Sequence, residues 1–555
     1  MTTEQTEIEP VTGARTLVDA AQKAVGKAIK AAADLTDAGR TIDDHQVHAE
    51  RIAQLATFAR AAEELAAYCE RQTDAKDRVA EAQALAFAAE VVHMLRSENE
   101  TAPELLSIGG SLDDASLLDL MRAGLSDAHI QSIGKQVLEA RGAHATVLED
   151  QIAAMTRDQF RTFARTEIAP IAQDMHREDH LVPEDLIRKM AGLGLFGSSI
   201  PEKFGGTDMG LLTMVVLTEE LSAASLVAGS LITRSEILTR ALIQGGTEEQ
   251  QQTWLPRIAT GELIVGICVT EPDTGSDVAS VQCKATRGEL DGKQGWFIEG
   301  AKAWATFAGR ADILALLART DPNEPGARGL SLFIVPKDPH TGHSFVQEQD
   351  GGGSITGNAN PTPGYRGMHS FTLAFDRYFV PEENLVGGEA GLGRGFYLQM
   401  GGFAAGRLQT GGRATGVGQA SLEKACDYAL DRRQFDERPI AEYQLTQHKI
   451  GRMSTHVAAG RHLTYAAAVE MQEDERAPTD ARRGAAVLPA MAKLFASDVA
   501  VWVSQEAQLI HGGWGYSEED PVARIVVDAL VLPIFEGVKP ILELKIIARQ
   551  LLAGG

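Results

Sequence analysis

A glutamate near the end of the chain, Glu536, has the surroundings that a general base needs. It follows the apolar run Pro533-Ile-Phe and precedes Gly537, which indicates a break in regular structure among apolar neighbours. A carboxylate at such a place is partly desolvated, and desolvation makes a carboxylate a better acceptor for a proton from carbon. The alternative is a surface glutamate at the start of a helix, which is the commoner situation for any one glutamate.

Two other short runs combine hydroxyl, glycine and aromatic side chains. They are Val269-Thr-Glu-Pro-Asp-Thr-Gly-Ser-Asp277 and Lys302-Ala-Trp-Ala-Thr306. Together with Ile534-Phe-Glu-Gly537 they match, in order, the patterns T-E-P-x-x-G-S-D, K-x-W-I-T and I-Y-E-G-T of the acyl-CoA dehydrogenase family. Each run alone is weak evidence, but three in the right order and at the right separations are strong. The sequence therefore resembles this family over residues 150–555.

The resemblance implies an FAD-dependent dehydrogenase that acts on an acyl-CoA thioester. Glu536 would remove the α-proton while the β-hydrogen leaves as hydride to the flavin N5. In the family, the backbone N–H of the catalytic glutamate and a flavin ribityl hydroxyl stabilise the thioester oxygen of the developing enolate. Family behaviour also implies electron-transferring flavoprotein as the acceptor. An oxidase and a non-dehydrogenase flavoprotein on the same scaffold are the alternatives.

The resemblance assigns flavin contacts to particular residues. Thr270 and Thr306 match threonines that contact the isoalloxazine ring, Trp304 matches the tryptophan that flanks it, and Ser276 matches a serine near the pyrophosphate and the substrate. For Trp304 the alternative is a residue in the core of a strand. The full set implied to hold FAD is Val269, Thr270, Ser276, Trp304, Thr306, Arg432, Phe435, Gln444, Gly512 and Gly513.

Part of that set is implied to act across a subunit boundary. Asp431-Arg-Arg-Gln-Phe435 resembles the family run R-x-x-F-G, in which Arg432 and Phe435 would serve the FAD of the neighbouring subunit, with Arg432 on the pyrophosphate. His511-Gly-Gly-Trp-Gly-Tyr516 resembles the run G-G-x-G-Y. No G-x-G-x-x-G opens a βαβ unit, which agrees with a family that does not bind FAD on a Rossmann fold.

The chain departs from the family pattern at several of these places. Val538 replaces the family threonine and Pro540 stands where glutamine is common, so those contacts to the adenine end of FAD must come from elsewhere. Asp436 replaces a glycine, and Gln444 is displaced by one residue, which indicates a one-residue insertion.

Two arginines are implied to meet the substrate, along with Ser276 and Gly537. Arg407 aligns with a family arginine beside the substrate and the catalytic glutamate. Arg234 falls where family members line the acyl pocket with small or uncharged residues, and an arginine there would suit a substrate with a second carboxylate. A lone arginine is more often solvated or ion-paired, and Glu236 is nearby. A branched dicarboxylic ester and a branched monocarboxylic ester, such as isovaleryl- or isobutyryl-CoA, therefore remain open.

The periodicity of apolar residues divides the chain into four parts. In residues 1–148, from Ala14 onward, and in residues 149–264, apolar residues recur at every third or fourth position, as they do in helices. In residues 265–386 apolar and polar residues alternate, as they do in strands. Residues 387–555 return to a helical pattern typical of a bundle. This order predicts an α+β protein with the acyl-CoA dehydrogenase fold: an N-terminal helical extension, a helical domain, a middle β domain and a C-terminal helical bundle.

A Gly-, Asn- and Pro-rich stretch, 347–363, interrupts the strand region. Its composition predicts a long loop. Long loops in compact domains are often functional, so a lid or a partner surface and an excursion without function are both open.

Composition excludes several classes of function. The net charge of -24 argues against nucleic-acid binding, since polyanion affinity comes from clustered lysine and arginine. The four cysteines match no zinc spacing, and no metal is expected. No secretory signal and no apolar run of about 20 residues is visible, so a cytoplasmic protein away from the membrane is expected. If the extension covers the surface that other members use to form tetramers, the protein is a homodimer.

Overall fold

The computed structural model describes residues 9–72, 77–435, 437–477 and 486–554. They form two compact units. The first contains residues 1–154 together with 410–555, and the second contains residues 155–409.

The N-terminal extension is helical, as its periodicity predicts. Its helices are α1 (Pro10–Leu35), α2 (Gln46–Arg71), α3 (Arg78–Thr101), α4 (Pro103–Leu106), α5 (Ala115–Gly124) and α6 (Asp127–Glu139). Buried residues recur every three or four positions along α1, at Leu17, Ala21, Ala24 and Ala28, which gives the helix one apolar face.

The helical pattern continues through the next region. Its helices are α7 (Gln151–Phe163), α8 (Ala169–Arg177), α9 (Glu184–Gly192), α10 (Leu211–Ala224), α11 (Leu226–Leu231), α12 (Glu236–Gly245) and α13 (Glu248–Ala259). A capping box starts α13, because the Thr247 side chain accepts from the Gln250 backbone and the Gln250 side chain accepts from the Thr247 backbone. This helix leads directly into the sheet.

The strand region forms an eight-stranded, mostly antiparallel sheet, and the α+β prediction is confirmed. Strand order is β1-β4-β2-β3-β8-β7-β6, with β5 paired to β4. The strands are β1 (Val265–Cys268), β2 (Lys284–Leu290), β3 (Lys293–Thr306), β4 (Ile313–Arg319), β5 (Leu330–Pro336), β6 (Ser344–Glu348), β7 (Ser354–Ala359) and β8 (Ser370–Pro381). The longest of them, β3, carries Trp304 and Thr306 at its end.

The prediction of a long loop over 347–363 is wrong. β6 and β7 form a hairpin whose turn contains Gly351 and Gly352, both with left-handed φ angles, and β7 pairs along β8. Position 357 in β7 is a glycine because a Cβ there would stand 2.2 Å from the Phe345 ring. The glycines therefore serve turn geometry and close packing, which composition alone does not distinguish from a loop.

The C-terminal region returns to helices. They are α14 (Gly395–Asp431), α15 (Gln444–Arg476), α16 (Val487–His511), α17 (Pro521–Ala529), α18 (Lys539–Ile541) and α19 (Arg549–Ala553), with a π-helical segment at Leu542–Ala548 between the last two. A hairpin of two short strands, β9 (Arg433–Gln434) and β10 (Arg438–Pro439), separates α14 from α15. The bundle helices approach closely at glycines: a Cβ on Gly411 would stand 3.0 Å from Thr464 of α15.

The apolar stretch that begins with α16, Val487–Tyr516, is long and apolar enough to cross a membrane, judged by its length and composition alone. Within the structure 78% of its most apolar window is buried. Its hydrophobicity is therefore accounted for by packing at the centre of the bundle.

The extension packs against the C-terminal bundle within the first unit. Helix α6 crosses α15 so closely that a Cβ on Gly134 would stand 1.8 Å from the Gln447 carbonyl oxygen. The Tyr68 ring on α2 stacks on the His462 ring on α15, with ring centres 3.9 Å apart. The extension is therefore part of the same compact body as the bundle. The boundaries of the four predicted domains stay predictions.

Candidate active site

The residues singled out from the sequence fall in both units. Val269, Thr270, Ser276, Trp304, Thr306, Arg234 and Arg407 belong to the second unit, and Arg432, Phe435, Gln444, Gly512, Gly513, Glu536 and Gly537 belong to the first.

A buried ion pair joins the two runs on the sheet. The Lys302 ammonium, 0% exposed, donates to Glu271 Oε1 at 2.8 Å and to the Val269 carbonyl at 3.0 Å. The Ala303 N–H donates to the Thr270 carbonyl at 2.8 Å. The segment that carries Val269 and Thr270 is therefore fixed against β3, beside the end that carries Trp304.

The Glu271 carboxylate also organises the turn that follows it. Its two oxygens accept the backbone N–H groups of Gln282 and Cys283, each at 2.7 Å. Ser276 is exposed on the intervening turn. The resemblance assigned flavin contacts to Val269, Thr270 and Ser276 of this run, yet Glu271 and Lys302 hold both runs in place. A lysine within the apolar stretch Gly300-Ala-Lys-Ala-Trp-Ala305 was the available signal.

Trp304 stands out from the sheet through a local irregularity. The β3–β8 register shifts between Lys302 and Ala305, and Trp304 takes a left-handed φ of 57°. Its side chain is 58% exposed, which rules out a strand-core tryptophan. A bulge that re-aims one side chain, and a strained φ at a non-glycine residue, are both typical of functional sites. Thr306, close by, shares a hydrogen bond of 3.1 Å with Ser370.

Arg234 lies in the short connection between α11 and α12. It is 6% exposed, and its Nε donates to the Ser230 carbonyl at 3.2 Å. The carboxylate of Glu236, the neighbour considered as its ion-pair partner, accepts from Arg240 Nε at 2.5 Å. A buried guanidinium is thus present where the sequence suggested a carboxylate-binding arginine. Arg407 is half-buried on α14.

Glu536 lies in an irregular turn, residues 530–538, between α17 and α18, as its neighbours predicted. Its φ is 55° and that of Gly537 is 101°, so two consecutive residues are left-handed. A non-glycine residue in that region costs about 1–3 kcal/mol and persists only when the surroundings hold it. The surroundings here include the Ser497 hydroxyl, which donates to the Leu532 carbonyl at 3.3 Å.

Two buried cations, which the sequence reasoning missed, hold the residues on either side of Glu536. The Lys493 ammonium on α16 donates to the Gly537 carbonyl at 2.6 Å. The Arg413 guanidinium on α14 lies over the Phe535 ring, 4.8 Å from its centre. Lysine inside the apolar helical run Leu488-Pro-Ala-Met-Ala-Lys-Leu-Phe-Ala was the signal, since such a charge is buried only for a reason.

The remaining candidates of the first unit are on its surface. Arg432 directly precedes β9, and Phe435 directly follows β9 and is 78% exposed with a left-handed φ of 45°. Exposed Gln444 starts α15. Gly512 and Gly513 follow α16, and a Cβ on either would meet nothing within 4 Å. These residues leave room for a ligand or a partner at this surface.

Models of the three acyl-CoA dehydrogenase domains match most of the chain. The N-terminal domain matches residues 150–262, the middle domain 266–378 and the C-terminal domain 393–552. The chain belongs to the acyl-CoA dehydrogenase family. Members of this family are FAD-dependent oxidoreductases that act on acyl-CoA thioesters.

Relatives in the family differ in how far they extend. The chain is 35% identical to (2S)-methylsuccinyl-CoA dehydrogenase of Cereibacter sphaeroides, over 92% of this chain and 92% of that protein. It is 36% identical to an acyl-CoA dehydrogenase of Bacillus subtilis over 74% of this chain and 99% of that protein. Among solved structures, butyryl-CoA dehydrogenase from Megasphaera elsdenii covers 74% of this chain and is itself covered over 98%, with 28% identity and a TM-score of 0.63.

The sheet surface fits the cofactor of the family. The exposed Trp304 ring stands beside Thr306 and beside the segment of Thr270, on backbone fixed by the buried Lys302. A large aromatic ring held out of the core by a strained backbone suits stacking on a flat ring system such as the isoalloxazine of FAD.

Proposed function

We propose that this protein catalyses the FAD-dependent α,β-dehydrogenation of a short branched acyl-CoA, and that its substrate is (2S)-methylsuccinyl-CoA, with 2-methylfumaryl-CoA (mesaconyl-CoA) as product. The observation that carries the proposal is the extent of the likeness to the Cereibacter sphaeroides enzyme. That likeness covers 92% of this chain and so runs into the N-terminal extension, whereas the Bacillus subtilis relative covers 74%. The reaction is a step of the ethylmalonyl-CoA pathway.

Glu536 is the general base of the proposed reaction. Its carboxylate takes the α-proton, the Cα–H electron pair becomes the new Cα–Cβ double bond, and the β-hydrogen leaves with its electron pair. FAD, when bound, accepts that hydride. The strained turn keeps the carboxylate at one position, so little reorganisation is needed when the ester arrives.

The free carboxylate of methylsuccinyl-CoA requires a cation in the acyl pocket. Arg234 is the proposed partner, because its guanidinium is buried and a planar fork pairs with a carboxylate through two hydrogen bonds. Arg407 is proposed to lie beside the substrate, with Ser276 and Gly537. The proposed electron acceptor is electron-transferring flavoprotein.

An anaerobic visible spectrum of the purified protein, titrated with a panel of acyl-CoA esters, tests substrate and reaction together. Methylsuccinyl-CoA should bleach the flavin band at about 450 nm, while butyryl- and isovaleryl-CoA should not. Bleaching by a monocarboxylic ester alone would keep the dehydrogenase and discard the dicarboxylic substrate. No bleaching by any ester would leave a binding protein on the same scaffold.

Two substitutions test the residues. Glu536→Gln should abolish turnover while FAD stays bound, and turnover that survives would remove Glu536 as the base. Arg234→Ala should raise KM for the dicarboxylic ester far more than for a monocarboxylic one. Arg240→Ala is the matched control, since it removes a neighbouring arginine that is bonded to Glu236 and should treat both esters alike. Equal effects of Arg234→Ala on both esters would refute the carboxylate partner.

A further inference from the structure

The turn that carries Glu536 is held by two buried cations from two different helices. Lys493 comes from α16 and Arg413 from α14, and both side chains are fully buried. We propose that Lys493 and Arg413 are positioning residues for the base: they fix the peptide after Glu536 and the side chain before it, so that its carboxylate stands where the α-proton will be. The inference rests on the proposed function, in which Glu536 removes that proton.

The backbone of the turn needs support from outside. Ile534 N–H and Phe535 N–H both donate to the Val531 carbonyl, at 3.0 and 3.2 Å, and Lys539 N–H donates to the Pro533 carbonyl at 3.0 Å. These bonds define the turn on both sides of Glu536. They do not orient the Gly537–Val538 peptide, which follows two left-handed residues. A relaxed turn would move Glu536 toward an ordinary φ.

Lys493 supplies the missing constraint. Its ammonium donates to the Gly537 carbonyl at 2.6 Å, a short charge-assisted hydrogen bond. Rotation of that peptide would take the carbonyl away from a buried ammonium, and burial makes the loss of a charged hydrogen bond expensive. Gly537 is therefore held at φ 101°, and Glu536 with it.

Arg413 acts on the other side of the base. Its guanidinium lies 4.8 Å from the centre of the Phe535 ring, and its Nη2 donates to the Thr410 hydroxyl at 3.0 Å on the same helix. The second contact fixes the plane of the guanidinium, and the plane fixes the ring. The residues before and after Glu536 are thus held independently.

Proton removal from carbon is more sensitive to such placement than substrate binding is. A base displaced by about 1 Å costs about 100-fold in rate, because proton transfer needs the donor and acceptor in contact. A displaced base also makes Cα–H cleavage limit the rate more strongly. Loss of Lys493 should therefore change which isotope effect is seen, as well as slow the reaction.

The test uses the FAD-loaded enzyme and the ester that bleaches its flavin, deuterated at Cα or at Cβ. Stopped-flow flavin reduction gives the rate constant and both isotope effects, and titration gives the Kd of the ester. Lys493→Met should slow reduction about 10- to 100-fold, raise the α-deuterium effect but not the β-deuterium effect, and leave the Kd within about twofold. Lys493→Arg should recover part of the rate, since it keeps a cationic donor.

Lys337→Met is the matched control. Lys337 is also a buried lysine that donates to backbone carbonyls, those of Gly309 and Ala311 at 2.8 Å, but it lies in the second unit. The Lys337→Met substitution should lower the melting temperature and leave both isotope effects as in the wild type. If Lys493→Met does not fold, Phe535→Leu and Arg413→Lys should show the same isotope pattern with a smaller loss of rate.

The outcomes separate this inference from the proposed function. A Lys493→Met enzyme with a wild-type rate, or one that changes only as Lys337→Met does, overturns the positioning role while an inactive Glu536→Gln leaves the base in place. Turnover by Glu536→Gln overturns the base itself, and the positioning role with it.

Discussion

Replacing Lys302 by methionine should be among the most destabilising single changes in the second unit. The ammonium is completely buried and donates to Glu271 and to the Val269 carbonyl. Removing it leaves a buried carboxylate without its cation. Breaking a buried pair by removing one partner costs about 3–5 kcal/mol, which is a large fraction of the ~5–15 kcal/mol that stabilises a typical protein.

The structure also says how the cost is shared. Glu271 keeps its two backbone donors in Lys302→Met, the N–H groups of Gln282 and Cys283, so the carboxylate is not wholly without hydrogen bonds. Glu271→Gln is expected to be as harmful, because its amide turns an N–H₂ toward one of those donors. The double substitution of Lys302 and Glu271 removes both charges and should cost less than the sum of the two single changes.

The assay is urea-induced unfolding monitored by circular dichroism, with the release of FAD measured in the same samples. A matched pair on the same sheet provides the control: Lys284 lies 3.3 Å from Glu299 across β2 and β3, but its side chain is 57% exposed. Lys284→Met should cost at most about 1 kcal/mol. If Lys302→Met unfolds at the same urea concentration as Lys284→Met, the buried pair does not hold the runs 269–277 and 302–306 in place.

Three further predictions follow from other parts of the structure. Burial holds the pKa of His462 well below its usual range, so this imidazole stays neutral in the folded chain, while in the unfolded chain it takes up a proton below about pH 6.5. The free energy of unfolding should therefore fall as the pH drops below about 6.5, by about 1.4 kcal/mol per pH unit at most. Thermal melts from about pH 7.5 to 5 should show this fall, and a smaller one in His462→Gln. Gly357→Val should cost about 1–3 kcal/mol by pushing Phe345 aside, whereas Gly26→Ala, in open space on α1, should stabilise by about 0.5–1 kcal/mol in the same melts. The extension packs on α15, and we expect it to cover the surface that other family members use to form tetramers. Analytical ultracentrifugation should therefore find a homodimer, and a tetramer would contradict this expectation.

The parts of the fold that follow from periodicity could be predicted, and those that follow from packing could not. Helices such as α2 are set by where apolar residues recur, and strands such as β4 by a short continuous apolar run, so the sequence contains both. The β6–β7 hairpin was missed because Gly357 is required by the position of Phe345, a residue on another strand. The packing of the extension against the bundle could not be predicted for the same reason, since it depends on close helix crossings such as the one at Gly134.

The candidate site shows a second limit. Motifs point to side chains that meet a ligand, and they led to Thr270, Trp304 and Glu536. The motif K-x-W-I-T contains Lys302 but does not say what it bonds to, and none of the matched motifs contains Lys493. Their partners are backbone carbonyls or a carboxylate many residues away in sequence. A buried lysine in an apolar run nevertheless carries information, because a charge leaves water only when something in the protein bonds to it.

The two groups of candidate residues share one structural feature. In each unit a strained, non-glycine backbone presents the side chain that motif matching selected, Trp304 at φ 57° and Glu536 at φ 55°. In each unit a fully buried lysine donates to a backbone carbonyl close to that residue. Strain of this kind relaxes unless a strong and desolvated interaction opposes it, and a buried ammonium on a carbonyl is such an interaction. The two lysines are therefore best understood as the means by which an energetically unfavourable backbone is kept at the places where the proposed chemistry needs it.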